Sequence, residues 1–169
     1  MCRYSYNHLF NYIPVRFRAS EEDKKARAIV YDFKDGHCSD SVKNEFVREI
    51  NKLGRDKLVC FIPASSTERT VVRFSSLASY INAHSVNHSS MTAITRSADS
   101  QPGYLNGKSS NPTKDFVINQ AEVQGESIIL IDDVITRGRT FEDTADKLME
   151  AGAVSVVGLF LAKTVYPIN

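Results

Sequence analysis

The chain lacks tryptophan and carries only three cysteines in 169 residues. Cys2, Cys38 and Cys60 are odd in number and far apart. They build neither a disulfide framework nor a paired-cysteine metal site. Cys60, inside the apolar run 58–62, reads as a small buried hydrophobe, and Cys38 reads as an exposed thiol with nothing beside it that marks a nucleophile. Neither sign of charge is in excess: 21 Lys and Arg stand against 20 Asp and Glu, a net charge of +1. The bulk electrostatic footprint of a nucleic-acid or anionic-membrane binder is therefore missing. No apolar run approaches the roughly 20 residues that span a bilayer. The first 17 residues are aromatic and polar and lack the apolar stretch of a signal peptide, so a cytoplasmic protein is expected. His84 and His88 could share one helical face, but Ser85, Val86 and Asn87 between them leave out the glutamate of a zinc-protease motif; a solvated polar stretch is expected there. Internal repeats and interdomain linkers are also missing, which predicts a single domain over 1–169.

What is present is an alternation of helix and strand patterns. Ser20 and Asp23 form a capping box, and Ala26, Ile29, Val30 and Phe33 follow as one apolar stripe that Gly36 can end. A second helix follows Asp40, with Val42, Phe46, Val47, Ile50 and Leu53 inward and Gly54 as its stop. Residues 1–25 read as an N-terminal extension in which 12–17 (YIPVRF) form a short strand or a clamp over the core. The run 58–63 has the continuous apolar character of a strand buried on both faces. A polar turn and a helix over 71–81 come next, with Val71, Phe74, Leu77, Ala78 and Ile81 inward. Strands are predicted at 91–95, 116–119, 127–133 and 154–162. The helix before the last strand turns Phe141, Ala145, Leu148 and Met149 inward and ends at Gly152. This is an α/β chain with a parallel sheet flanked by helices. Residues 97–114, rich in Gly, Pro, Ser and Asn, predict a mobile loop that closes over a ligand. Within it, Gly103 to Ser109 imitates a phosphate-binding NTPase loop but has three residues between its glycines where four are needed.

The chemistry concentrates in 128–140, IILIDDVITRGRT. A buried strand delivers Asp132 and Asp133 at its C-terminal end, where open α/β sheets bind ligands. Adjacent strand residues point to opposite sides, so the two carboxylates do different jobs. Thr136, Arg137, Gly138, Arg139 and Thr140 then turn into a helix. A glycine in such a turn lets backbone amides converge on an anion at the positive end of the helix. A phosphate cradle beside hydroxyl-binding carboxylates suits a sugar phosphate. A plain capped helix, with the two acids as turn residues, is the alternative.

This run resembles the phosphoribosyl pyrophosphate (PRPP) signature of the type I phosphoribosyltransferases: an apolar strand, two acids, two apolar residues and a T-x-G-x-T loop. Arg137 is less usual there, although the amidophosphoribosyltransferase branch looks similar. The spacing of 62–73, the ITR at 94–96 and the 128–140 motif are most similar to the competence-protein-F group, without that group's cysteine zinc ribbon. The resemblance spans about 26–165. It implies a Rossmann-like core with a small N-terminal hood, and Mg²⁺-dependent transfer of 5-phosphoribosyl from PRPP to a nitrogen acceptor, a base or an amine, with release of pyrophosphate in nucleotide metabolism. It implies that Thr136, Arg137, Gly138, Arg139 and Thr140 hold the 5′-phosphate. Asp132 and Asp133 take the ribose hydroxyls and metal-bound waters. Ser65, Ser66, Thr67, Arg69 and Arg96 hold pyrophosphate, with Arg73 as a further counter-charge and Arg96 at the root of the mobile loop. The 6-oxopurine enzymes carry an aspartate base where this chain has Thr136, which speaks against hypoxanthine or guanine as acceptor. Lys108 and Lys114 match the loop lysine of the orotate enzymes only in kind. No membrane or nucleic-acid partner is implied, and a homodimer stays open. The competing reading is a non-catalytic PRPP- or nucleotide-binding regulatory or accessory protein.

Overall fold

The structure is a computed structural model and describes residues 1–97 and 111–167. The middle of the 97–114 loop, with Lys108 and the Gly103 to Ser109 stretch, lies outside the described residues. The elements run β1 (Tyr6–Tyr12), α1 (Glu21–Lys34), α2 (Asp40–Lys52), β2 (Leu58–Phe61), α3 (Thr67–His84), β3 (His88–Ser89), β4 (Ile94–Arg96), β5 (Phe116–Ile118), α4 (Gln120–Val123), β6 (Ser127–Ile135), α5 (Arg139–Glu150) and β7 (Ser155–Thr164). Local signals start the helices as expected. The Ser20 hydroxyl accepts from the Asp23 amide at 3.2 Å while the Asp23 carboxylate accepts from the Ser20 amide at 2.9 Å. Ser39 caps α2 in the same way through the Val42 amide.

Five strands form one parallel sheet in the order β1-β7-β6-β2-β3. Strand alternation divides the core. Ile129 and Ile131 of β6 pack with Phe33, Phe46, Phe74 and Ile81 from α1, α2 and α3 on one face. Ile128 and Leu130 pack with Phe141, Ala145 and Leu148 of α5 on the other. Phe61 and Phe74 stack at 4.9 Å between ring centres. Gly158 gives Phe141 room, since a Cβ there would lie 2.8 Å from its ring.

Several expectations are corrected. The first strand is Tyr6–Tyr12, ahead of 12–17, and it joins the edge of the main sheet beside β7 instead of sitting in a separate extension. Residues 13–17 are held by a side chain: the Arg27 guanidinium donates to the carbonyls of Ile13, Pro14 and Phe17. Pro14 has no amide to give to a ladder. The expected strands at 91–95 and 116–119 are β4 and β5, which pair antiparallel with each other outside the parallel sheet. No helix lies between them among the described residues, and a parallel pairing needs a crossover. His84 ends α3 and His88 starts β3, and both are exposed, in keeping with the solvated stretch expected there. Cys38 is half-buried rather than exposed, and burial pushes its thiol up to about 11. Among the described residues no helix is long and apolar enough to cross a membrane.

Candidate functional site

β6 lies inside the sheet, between β7 and β2, and runs two residues beyond the acid pair before the chain turns. Gly138 takes the left-handed conformation, φ 77°, as the residue that opens α5, and among the described residues no side chain caps this helix. The first amides of α5 are left for a ligand. The turn bounds a cavity of about 320 Å³ lined by Asp132, residues 134–141, Ile62 and Phe160. All five residues of the expected phosphate loop are in that lining. Arg137 and Arg139 are exposed, so their guanidinium groups are free to swing over an anion. The Thr136 hydroxyl is engaged with that of Thr164 at 2.8 Å, and the Thr144 hydroxyl donates to the Thr140 carbonyl at 2.7 Å.

The two carboxylates part company. Asp132 lines the cavity, and its Oδ1 accepts from the Asp133 amide at 2.8 Å. Burial, and then the neighbouring Asp133 charge, push its carboxyl well above the usual carboxylate range. Asp133 is buried on the side of α1 and α3, where its Oδ2 stands 3.1 Å from the Arg73 guanidinium and 3.8 Å from Lys34 Nζ. Arg73, expected as a pyrophosphate counter-charge, is instead the partner of Asp133. Among the described residues its Nε is buried without a hydrogen-bond partner, which leaves the guanidinium dependent on that carboxylate. Among the described residues no group of three or more His, Cys, Asp or Glu side chains could hold a metal. Asp132 beside the phosphate loop does suit Mg²⁺, a hard cation that binds through one or two carboxylates, waters and substrate phosphates. Asp133 already lies between two cations and faces the other side.

The β2–α3 turn carries the expected pyrophosphate residues, and much of its bonding is internal. The Ser66 hydroxyl accepts from the Arg69 amide at 3.1 Å and caps α3. The Ala64 amide donates to Thr70 Oγ1 at 2.9 Å, and the Ala64 carbonyl accepts from Arg96 Nε at 2.6 Å. Arg96 also reaches Asp115 at 3.3 Å, tying the β4–β5 pair to this turn. Ser65, Thr67 and Arg69 remain exposed. Arg69 lies with Lys34, Ser66 and Glu68 along a second cavity of about 390 Å³, whose lining shares no residue with the first.

Sequence reasoning missed the N-terminal segment. A Cβ on Gly138 would lie 3.3 Å from Cys2 Sγ, so Cys2 sits on the β6–α5 turn. The Arg3 amide donates to the Glu142 carboxylate, the Arg3 guanidinium meets Asp146 at 2.6 Å, and the Tyr4 hydroxyl donates to Asp146 at 2.7 Å. These contacts join residues about 140 positions apart, and no local pattern announces them.

No family model matches the chain, and no curated protein matches it. Among solved structures it is similar to a hypoxanthine-guanine phosphoribosyltransferase from Bacillus anthracis, at 14% identity and a TM-score of 0.42 over 85% of this chain and 73% of that one. A hypoxanthine phosphoribosyltransferase from Staphylococcus aureus aligns at 13% identity and a TM-score of 0.43, over 83% and 70% of the two chains. The hypoxanthine-guanine enzyme from Schistosoma mansoni, solved with IMP, aligns at 11% identity and 0.43, over 91% and 82%. Superpositions this loose carry no weight for function, which has to rest on the chain's own residues.

Proposed function

We propose that the chain is a phosphoribosyltransferase that moves 5-phosphoribosyl from PRPP to a nitrogen acceptor and releases pyrophosphate. The observation that supports it best is one cavity that combines an open glycine turn at a helix N-terminus with a single carboxylate, at the C-terminal ends of parallel strands. In this reading the amides at the start of α5 and the Arg137 and Arg139 side chains take the 5′-phosphate. Asp132 accepts the ribose hydroxyls. Ser65, Thr67 and Arg69 face the pyrophosphate, while Ser66 and Arg96 hold their turn in shape. Mg²⁺, held through Asp132 and its waters, would neutralise charge on the departing pyrophosphate. The acceptor nitrogen forms its bond to C1 as the C1–O bond breaks. That electron pair leaves with pyrophosphate, and where the acceptor is an amine its surplus proton passes to solvent. Thr136 offers no carboxylate base at the loop entry, and its hydroxyl is engaged with Thr164. The acceptor therefore brings its own nucleophilic nitrogen, as an amine or an already deprotonated base does. The work belongs to cytoplasmic nucleotide metabolism in this reading.

One observation favours the non-catalytic alternative: among the described residues, apart from Asp132, no side chain lining the cavity could take up a proton from an acceptor. Two measurements separate the readings. Calorimetry with PRPP, with and without Mg²⁺, tests binding, and pyrophosphate release against a panel of bases and amines tests transfer. Mg²⁺-dependent binding with release for one acceptor is expected. Binding without release for any acceptor leaves a PRPP-binding regulator, and no binding overturns both.

A further inference from the structure

β1 is an open edge of the main sheet, and its sequence is nearly a palindrome. Reading outward from Leu9, His8 stands against Phe10, Asn7 against Asn11 and Tyr6 against Tyr12. The strand pairs with β7 on one side, and the sheet order places nothing on the other among the described residues. Its seven residues contain no charge and no proline, the devices by which edge strands are kept from pairing.

The backbone agrees with the palindrome. Tyr6 is in register with Gly158, and the Gly158 amide donates to the Ser5 carbonyl at 2.9 Å. A strand in a parallel ladder turns alternate residues toward its neighbour. Asn7 and Leu9 therefore turn their amides and carbonyls to β7, while Tyr6, His8 and Phe10 turn theirs outward. If two copies meet antiparallel with Leu9 on the two-fold axis, His8 of each copy faces Phe10 of the other. These are the outward-turned residues that must exchange N–H···O bonds. Leu9 then faces Leu9 in the wide position, with Cα atoms about 4.5 Å apart. Asn7 faces Asn11, each amide able to donate and accept, and Tyr6 lies opposite Tyr12, whose carbonyl already accepts from the Val165 amide at 2.9 Å, so the exchanged backbone bonds are those of His8 and Phe10. A slip by two residues in either direction keeps the backbone parity but sets Asn against Leu and loses the matched pairs. The exposed His8 Nε2···Asn11 Oδ1 contact of 3.2 Å gives way on pairing.

We propose that β1 pairs antiparallel with β1 of a second copy, giving a two-fold dimer with one continuous ten-stranded sheet. The proposal is independent of the chemistry at the other end of the molecule. Asn7 and Asn11 are exposed, so charges placed there leave the fold intact, as circular dichroism melts would verify. Sedimentation equilibrium at about 100 μM chain, enough to populate a modest interface, is expected to find a dimer. Asn7→Lys/Asn11→Lys sets like charges opposite each other at two places and is expected to weaken the dimer at least about tenfold. Asn7→Lys/Asn11→Glu sets opposite charges there and is expected to keep it. On oxidation Leu9→Cys is expected to give a disulfide-linked dimer and Asn7→Cys is not, judged against the wild type with its three native cysteines. A monomeric wild type, two double variants that behave alike, or linkage through Asn7→Cys in place of Leu9→Cys overturns the proposal. Uptake of an unrelated extended peptide by a monomeric wild type overturns it in favour of a heterologous partner.

Discussion

β6–α5 and β2–α3 are the same unit in outline: a buried strand of the parallel sheet ends at its C-terminal edge, turns through a short connection, residues 136–138 in one and 62–66 in the other, and enters a helix. They differ in what their polar groups bind. The β2–α3 turn is capped by Ser66, its Ala64 amide is taken by Thr70, and its Ala64 carbonyl is taken by Arg96. The β6–α5 turn has a left-handed glycine where a capping side chain would stand, and a cavity in front of it. A turn that satisfies itself is a support. A turn that leaves helix-terminal amides unbonded beside a cavity has a ligand's share of the bonding still to be filled.

The same contrast separates the acid pair, and it gives the largest effect. Asp133→Asn strips Arg73, already short of one partner, of its counter-charge. It is expected to cost about 3 kcal/mol of stability, read from denaturant unfolding, whereas Asp132→Asn costs none. Equal losses would erase the distinction between the structural and the ligand-facing carboxylate. Next, Gly138→Val should close the open turn. A branched residue at φ 77° adds about 1–2 kcal/mol of strain, and its Cβ meets Cys2 and the Ile135 side chain. Calorimetry with ribose 5-phosphate should show at least about a tenfold loss of affinity; unchanged affinity in a folded variant would move the phosphate elsewhere.

Asp132 sharpens the comparison through pH. Its folded-state pKa is raised, so the native state holds a proton that the unfolded chain has released once pH passes about 4. Stability contributed at this site is therefore present below that pH and falls as pH rises toward the folded value. Thermal melts across the acid-to-neutral range should show Asp132→Asn gaining on the wild type as pH rises, while its Mg²⁺-dependent PRPP affinity drops. A constant gap would mean that Asp132 titrates normally. The smallest effect belongs to the self-satisfied turn. Ser66→Ala should cost about 1 kcal/mol through the lost cap and leave ribose 5-phosphate affinity unchanged; an affinity loss as large as that of Gly138→Val would make the two turns equivalent.

Local chemistry was enough to place α1 with its cap and α2 from its periodicity; the Ser39 cap went unread, although Ser20 and Ser39 both satisfy amides three residues away and need nothing distant. It also placed the strand–glycine turn–helix of 127–150, since strand, acid pair, turn and helix are consecutive, and their backbone conformations follow from neighbouring residues. Opposite roles for Asp132 and Asp133 followed from strand alternation alone. Which carboxylate faces the cavity is a tertiary matter, decided by the helices carrying Lys34 and Arg73 against one face of β6. The same holds for Arg96, whose target is a carbonyl 32 residues away, and for β1, whose half-polar sequence becomes a strand only because β7 offers an unpaired edge beside it. Periodicity records how a segment meets its nearest turns; it carries no information about which distant charge or edge the folded chain will bring alongside.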